Sequence, residues 1–397
     1  MSDADDDAGD AKRRILMRGA SLGQAFDPRN NALNAWRLVL AISVILWHSW
    51  PLTGRFITFK PLEQFMEQVG VDGFFAVSGF LITSSWLRNP RLREFAVARA
   101  LRIFPGLWVC VAITAFVLAP VSVLIQHGSV SNLLSSSKPY EYALSNALLY
   151  PFYVGIDGTP RDIPWPGVWN GSLWTLIFEM GCYIAVAALG LTGLLNRRWF
   201  VPAAFVLTVC ATAYFSYPTA AMQTIPQMVF RFAVMFAAGA LVYHFREVIP
   251  ARWSLVGVSV VIVAASCLLA NYRVIGALPL AYAVIASGAL VRDRRLNLRN
   301  DLSYGVYIYA FPMQQMLAVL GAAVLNTFAF FVVATTVTLA PAALSWFLIE
   351  KRAIALKSRF LRRRAPVSDA EQPVPPPAEE RFDTIGGGVA EPREGAP

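Results

Sequence analysis

The sequence predicts an all-α, polytopic integral membrane protein with about ten transmembrane helices and with both termini in the cytoplasm. The chain of 397 residues is 56% hydrophobic and only 15% charged, whereas soluble domains usually carry about 25% charged residues. Apolar runs of about 20 residues, the length needed to span a bilayer, recur from Leu33 almost to Glu350. Connections rich in arginine alternate with connections poor in Lys and Arg.

The apolar runs predict helices near 34–50, 69–87, 101–125, 172–194, 200–216, 227–245, 253–270, 275–291, 302–324 and 328–349. If both termini are cytoplasmic, the cations fall on inside connections, as the positive-inside rule requires. These cations are Arg88, Arg91, Arg93, Arg99, Arg197, Arg198, Arg246, Arg252, Arg292, Arg294, Arg295, Arg299, Lys351, Arg352 and Arg362 to Arg364. Membrane orientation therefore explains the net charge of +9, and we expect no nucleic-acid partner.

The chain divides into three predicted segments. Residues 1–30 form a cytoplasmic N-terminal segment that lacks the apolar stretch of a signal peptide and is expected to stay on the protein. Residues 31–360 form the transmembrane domain, and residues 361–397, rich in Pro, Glu, Gly and Ala, are expected to be a disordered cytoplasmic tail. The four cysteines lie in apolar runs without metal or redox spacing, so we expect packing residues and no metal site.

Ionisable side chains inside a bilayer are costly and therefore mark candidate functional residues. Arg37 and His48 are eleven positions apart, which on a helix leaves them about 20° apart in direction and about 16 Å apart in height. They are predicted to share one face, with Arg37 near the cytoplasmic mouth and His48 in the outer half of the membrane. The alternatives are a snorkelling anchor for Arg37 and a satisfied core histidine for His48.

Glu179 is a second candidate, because its helix enters from the outside near Asn170. Nine residues carry the carboxylate about 13 Å inward, close to the depth estimated for His48. A carboxylate there could orient the imidazole or stabilise its charged form, as in histidine-based acyl transfer. The alternative, equally open, is a structural partner for another helix.

Asp72 and Ser78 lie near the outer start of the second predicted helix, and Arg231 lies near the outer start of the sixth. We expect these residues to pair or to line a polar opening, with Asp72 and Arg231 as a buried pair. Gly73 and Gly79 are predicted to permit close helix packing.

Arg99 and Arg102 stand three residues apart at the cytoplasmic start of the third predicted helix, so they share one helical face. Helix N-termini favour phosphate groups, and a phosphorylated cytoplasmic ligand would fit there. From spacing alone, positive-inside charge or contact with anionic lipid is the favoured interpretation.

The long outside connection, from about Gln126 to Gly171, carries several aromatic residues among Pro, Gly and Ser. Two interpretations stay open: an interfacial aromatic belt and a platform for a sugar ring. The residues are Tyr140, Tyr142, Tyr150, Trp165 and Trp169.

Six short motifs occur in one order along the chain. They are Arg37 followed by ten residues and His48; GVDGFFAVSGFLIT; Arg99 and Arg102 before IFP; SLWTLIFE ending at Glu179; DLSYGVYIYAFP, which contains Ser303 and Tyr304; and SWFLIEK. In these motifs the chain, over about residues 30 to 360, resembles the acyltransferase 3 family, bacterial membrane O-acyltransferases that modify cell-surface and exported carbohydrates. The chain departs from many members at Ala310, where they have His.

The resemblance implies that an acyl-coenzyme A, most often acetyl-coenzyme A, supplies the acyl group from the cytoplasm. It also implies that Arg37 and His48 form the core catalytic pair, and that Arg99 and Arg102 contact coenzyme A phosphates. Ser303 and Tyr304 are expected to be polar residues with a substrate-binding or structural role. We expect a multi-pass protein of the bacterial cytoplasmic (inner) membrane, in contact with lipid and possible partners of a polysaccharide assembly system.

The mechanistic hypothesis assigns His48 as general base on an acceptor hydroxyl, Glu179 as its support, and Arg37 as the group that stabilises developing negative charge. An acyl-histidine intermediate is a variant of this hypothesis. A polar passage lined by these three residues would let the pantetheine arm cross toward the acceptor. The expected acceptor is a sugar of an exopolysaccharide or lipopolysaccharide, and the second choice is a small secreted glycoside or antibiotic.

Two other classes compete with this hypothesis. A proton-coupled transporter or flippase would also contain intramembrane Arg, His, Asp and Glu, but no pair of broken helices occurs in corresponding halves of the sequence. A structural subunit of a polysaccharide export machine would leave His48 and Glu179 unexplained.

Overall fold

The computed structural model describes residues 20–150, 152–215, 224–293 and 295–357, and these residues form helices without named β-strands. Ten helices occur at the ten predicted places. They are α1 (Leu33–Leu52), α2 (Lys60–Arg88), α3 (Leu92–His127), α4 (Thr175–Leu191), α5 (Phe200–Tyr214), α6 (Ile225–His244), α7 (Trp253–Ser266), α8 (Arg273–Leu290), α9 (Ser303–Val319) and α10 (Thr327–Ala355). The tail predicted to be disordered and the first 19 residues lie outside the described residues.

Helices α2 and α3 begin well before the apolar runs that predicted them. Helix α2 begins at Lys60 and not at 69 because its first turns are polar but favour helix: Pro61 occupies the first turn, and Lys60 pairs with Glu63. Helix α3 begins at Leu92 and not at 101, with Glu94 in its first turn. Hydropathy alone marks the lipid-facing part of such helices and misses their polar extensions.

The structure supports a multi-pass membrane protein. Helices α1, α2, α3, α6, α8 and α10 are long and apolar enough to cross a bilayer. Helices α4, α5 and α7 are shorter apolar helices, and α9 has 17 residues. The count of ten spans and the cytoplasmic side of both termini therefore stay predictions.

Helices α2 and α6 form a close crossing. A Cβ atom added at Gly79 would overlap the backbone carbonyl of Phe236, and one added at Gly239 would overlap that of Ala76. Small residues allow backbones to approach this closely in membranes, where packing rather than water drives helix association. The packing role predicted for Gly79 is confirmed, and Gly239 is its reciprocal partner.

Helix α9 packs on α1, α3 and α10. Several of its polar side chains donate hydrogen bonds to neighbouring segments, which lowers the cost of burying them, although the side-chain oxygens of Gln314 and Gln315 have no partner among the described residues. Tyr304 donates to the carbonyl of Ile103 at 2.7 Å, and Gln314 donates to the carbonyl of Ile45 at 3.0 Å. These bonds fix α9 against α1 and α3, the helices that carry the predicted arginines and histidine.

Candidate active site

A cavity of about 350 Å³ lies between α1, α2, α3, α4, α9 and the end of α10. Its polar lining includes Arg37, Ser78, Arg99, Arg102, Thr175, Glu179, Tyr183, Ser303, Tyr304, Tyr307 and Lys357. Seven residues predicted from the sequence thus meet in one place, joined by Lys357, which the sequence did not single out. In the predicted orientation the cavity lies toward the cytoplasm, because the start of α3 and the end of α10 both border it.

Asp301 organises two of the cavity arginines. It directly precedes α9, where Arg37 donates to its carboxylate and Arg102 Nη2 lies 2.6 Å from Oδ2. The Ser303 backbone N–H also donates to Asp301 Oδ1, at 3.2 Å. Burial opposes ionisation of this carboxyl, but Arg102 and Arg37 outweigh burial, and the pKa of Asp301 falls to about 2. Asp301 is therefore ionised at working pH and fixes both guanidinium groups.

Glu350 gives Arg102 a second carboxylate. It lies in a π-helical turn of α10, is fully buried, and approaches Arg102 Nη1 at 3.1 Å while Ser345 Oγ donates to it at 2.8 Å. The Arg102 guanidinium also lies over the rings of Tyr304 and Trp346. Arg102 thus joins α3, α9 and α10 as a fully paired charge.

Arg99 differs from Arg102 although the two share a helical face. Its guanidinium lies 5.8 Å from the ring centres of Phe95 and Tyr183. Within the described part of the chain no carboxylate lies within 4 Å of it, and its buried Nε has no hydrogen-bond partner. Glu179 of the same cavity wall attracts Arg99 electrostatically but forms no ion pair with it. A desolvated cation that lines a cavity without a directly bonded carboxylate is suited to bind an anion.

Glu179 lies on the cavity wall and not beside His48. Its carboxylate accepts a hydrogen bond from Tyr183, one turn along α4, and a long one of 3.5 Å from Ser78 of α2. Among the hydrogen bonds and salt bridges of the described residues, none joins Glu179 to His48. The predicted support of the imidazole by Glu179 is therefore not formed in this structure.

His48 is 9% exposed and lies on the same side of α1 as Arg37. Its ring packs edge-on against Phe311 of α9 at 5.0 Å, while Arg37 bonds to Asp301 at the start of α9. The shared face predicted from the spacing is therefore the face toward α9. The His48 Nδ1 atom is buried without a hydrogen-bond partner among the described residues.

An apolar layer separates the cavity from His48. Between Arg37 and His48 on α1, Ala41 and Ile45 are buried in one cluster with Ala310 and Phe311 of α9. The predicted polar passage is thus only partly present: Arg37 and Glu179 line the cavity, and His48 does not. Sequence spacing could place Arg37 and His48 on one face but could not show which residues of α9 fill the space between them.

Asp72 and Arg231 form the expected pair, 3.5 Å apart and almost fully buried, outside the cavity. Two further residues that were not predicted from the sequence also contact the Asp72 carboxylate. Arg273 Nε lies 2.6 Å from it, and the Tyr272 hydroxyl donates a hydrogen bond to it at 2.5 Å. The cluster ties α2, α6 and α8 together in the outer half of the predicted membrane. This placement favours a structural role for Asp72 and Arg231.

Three further charged residues of the sites were missed: Asp301, Glu350 and Arg273. Asp301 and Glu350 lie inside the motifs DLSYGVYIYAFP and SWFLIEK, and Arg273 directly precedes an apolar run. The cost of ionisable groups at membrane depth was the signal that could have found them. Within the described residues, no group of three or more His, Cys, Asp or Glu side chains is placed to hold a metal ion.

The arrangement offers two chemical functions on one helix: an anion-binding cavity at one end of α1 and an imidazole at the other. A profile of a family described as an acyltransferase domain matches residues 30–347. The chain is 26% identical over 353 residues to an O-acetyl transferase of Shigella phage Sf6, covering 85% of this chain and 98% of the relative. It is 27% identical over 378 residues to nodulation protein 10 of Rhizobium leguminosarum bv. viciae, covering 86% and 97%. No solved structure matches the chain significantly.

Proposed function

Because the chain belongs to the acyltransferase 3 family, we propose that this membrane acyltransferase is an O-acetyltransferase that transfers an acetyl group from acetyl-coenzyme A to a hydroxyl of a cell-surface or exported polysaccharide. The full-length similarity to an O-acetyl transferase supports the reaction type. The bacterial inner membrane is the proposed location, since it separates a cytoplasmic acyl donor from exported carbohydrate.

The observation that carries the donor assignment is the cationic cavity. Acyl-coenzyme A is rich in phosphate, and the cavity presents Lys357 and Arg99, whose buried Nε has no hydrogen-bond partner among the described residues. Cationic side chains bind phosphate through charge-assisted hydrogen bonds. Arg99 and Lys357 are the proposed phosphate ligands, and Arg102, already held by Asp301 and Glu350, supports the wall.

The proposed chemical step uses His48. A neutral nitrogen of the His48 imidazole takes the proton of the acceptor hydroxyl. At the same time, the hydroxyl oxygen forms a bond to the carbonyl carbon of the thioester. Collapse of the tetrahedral intermediate breaks the C–S bond, and coenzyme A leaves as the thiolate, which takes up the proton held by His48 and returns the imidazole to its neutral form. The acyl ester remains on the acceptor.

The acyl-pantetheine arm must pass the apolar layer between the cavity and His48. Two of the buried residues in that layer, Ala41 and Ala310, carry only a methyl group as their side chain. The pantetheine arm carries polar amide and hydroxyl groups but no charge, so its passage costs less than that of a charged group, and it requires α1 and α9 to separate locally. Arg37, fixed by Asp301 on the cavity side, lies about 16 Å along α1 from His48, so it is placed beside the entering donor and not beside the reacting carbonyl.

The test uses purified protein in lipid nanodiscs with labelled acetyl-coenzyme A and chemically O-deacetylated surface polysaccharide. Release of free thiol together with label in the polysaccharide is the expected result. A carrier would release no coenzyme A. In His48→Ala, transfer is expected to fall by about 10²- to 10⁴-fold, the range for loss of a general base.

The matched control is His127→Ala, because the chain has three histidines and His127 lies exposed at the outer end of α3. It is expected to keep parental transfer. Normal transfer by a folded His48→Ala protein would refute the assignment of His48.

A further inference from the structure

The five Tyr and Trp residues singled out from the sequence of the outer connection fall into three groups. Trp169 and Tyr142 are fully buried, and the Trp169 indole donates to Thr159 Oγ1 at 2.9 Å, so both support the fold. Tyr140 and Tyr150 are 64% and 53% exposed, as expected of an interfacial belt. Trp165 is half-buried and belongs to neither group.

The Trp165 ring lies next to His48. Its centre is 6.3 Å from the imidazole and 5.5 Å from the ring of Phe311, which itself packs on His48. The three rings form one cluster, which we term the outer aromatic cluster. Trp165 comes from the outer connection, so it meets His48 on the side away from the cavity.

The backbone of Trp165 is held in place. Pro164 and Pro166 flank it, and a residue that precedes proline is restricted to extended conformations. The buried Gln315 of α9 donates to the Trp165 carbonyl at 2.9 Å and to the Val168 carbonyl at 2.6 Å. Such preorganisation suits a rigid contact surface, because little conformational entropy is lost when a ligand binds.

We propose that Trp165 is the acceptor platform of this enzyme: its indole packs on the apolar face of a sugar ring whose hydroxyl is presented to His48. The proposal rests on the proposed function, which brings the acceptor from outside. A partly buried indole provides a large, rigid apolar surface with one polar edge, and a pyranose has apolar C–H faces and polar hydroxyl edges. No other aromatic residue of the outer connection has a ring contact with His48 among the described residues.

Acceptor kinetics test the proposal. Trp165→Ala is expected to raise KM for O-deacetylated surface polysaccharide by about ten-fold, as loss of an aromatic contact does, and to leave KM for acetyl-coenzyme A within about two-fold, since the donor cavity is remote from this ring. Trp165→Phe, which keeps an aromatic ring, should raise the KM for the polysaccharide much less than Trp165→Ala does. Tyr150→Ala, which removes a belt-type aromatic of the same connection, should change neither constant. An unchanged acceptor KM in Trp165→Ala, or an equal effect of Tyr150→Ala, overturns the proposal.

A second measurement does not require activity. Diethyl pyrocarbonate modifies accessible imidazoles, and mass spectrometry can compare His48 with the exposed His127 in the same sample. Faster modification of His48 in Trp165→Ala, and slower modification of parental His48 when the O-deacetylated polysaccharide is present, are the expected results. Equal His48 modification in parent and variant, with no protection by polysaccharide, overturns the platform even if the His48→Ala result supports the proposed function.

Discussion

The cavity residues differ mainly in how their charges are paired. Arg102 meets both Asp301 and Glu350, Arg37 meets Asp301, and Arg99 meets no carboxylate among the described residues. Breaking a buried ion pair leaves an uncompensated charge, whereas removing an unpaired buried cation removes a desolvation cost. Identical substitutions at Arg99 and Arg102 should therefore have different consequences.

For Arg102→Met, we expect a loss of about 3–5 kcal/mol of stability, because Glu350 and Asp301 lose a buried partner. For Arg99→Met, we expect a loss of at most about 1 kcal/mol, from its contacts with the Phe95 and Tyr183 rings. The KM for acetyl-coenzyme A should increase roughly ten- to hundred-fold, since one charge-assisted hydrogen bond to phosphate is lost. Thermal unfolding in detergent and donor-dependent initial rates measure the two effects.

The two variants serve as controls for each other, since methionine keeps an unbranched stem and removes the guanidinium in both cases, on the same face of α3. If Arg99→Met binds the donor normally while Arg102→Met folds normally and loses donor affinity, the assignment is reversed.

Asp301 remains ionised well below neutral pH. Titration of the Asp301–Arg102 ion pair should therefore not contribute to the pH profile of acetyl transfer above about pH 5.

At the level of helices, the α2–α6 crossing shows how one missing side chain determines packing. The backbone carbonyl of Ala76 occupies the space that a Cβ at Gly239 would need. A backbone atom cannot rotate away as a side chain can, so the helices must separate. Separation would also move Asp72 relative to Arg231, which ties the same two helices.

Gly239→Ala is therefore expected to destabilise the protein by about 1–3 kcal/mol, the usual range for overpacking. Unfolding of the purified protein, followed by Trp fluorescence during heating, measures this change. The matched control is Gly257→Ala on α7, where an added Cβ meets nothing within 4 Å. That variant should be neutral or up to about 1 kcal/mol more stable, because Ala favours helix. Equal destabilisation in both variants would contradict the crossing.

At the scale of the whole molecule, backbone contacts place the start of the described chain and the α6–α7 connection on the same side of the helices. Residues at the start of the described chain lie against the α6–α7 connection, where Leu22 N–H donates to the Ile249 carbonyl at 2.7 Å and Ala251 N–H donates to the Ala20 carbonyl at 2.9 Å. The N-terminal segment and this connection are both predicted to be cytoplasmic. A ten-span topology with a cytoplasmic N-terminus accommodates this contact without further assumption.

Cysteine labelling tests that topology. In a background whose four cysteines are replaced by Ser, Ser129→Cys of the outer connection should react with an impermeant maleimide in intact spheroplasts. Arg198→Cys, between the short helices α4 and α5, and Glu247→Cys, after α6, should react only after permeabilisation, because both connections are predicted to be inside. Labelling of Arg198→Cys in intact cells would show that α4 does not span the bilayer.

The sequence by itself determined the class of the molecule, the approximate places of α1 to α10 in the described part of the chain, and the family. Those properties depend on local patterns: a run of apolar residues is recognisable without its neighbours, and the motifs are contiguous or lie at fixed spacing on one helix. For the same reason the shared face of Arg37 and His48 could be predicted from eleven residues of sequence.

Only the tertiary structure decided which charges are paired. Asp301, Glu350 and Arg273 complete sites whose other members lie far away in sequence, and Glu179 contacts Ser78 and Tyr183 rather than His48. The position of a residue along a helix predicts its height in the membrane, but it does not predict which neighbouring helix its side chain faces. Pairing of buried charges depends on that direction, because electrostatic and hydrogen-bonding energies in an apolar interior fall steeply with distance and angle.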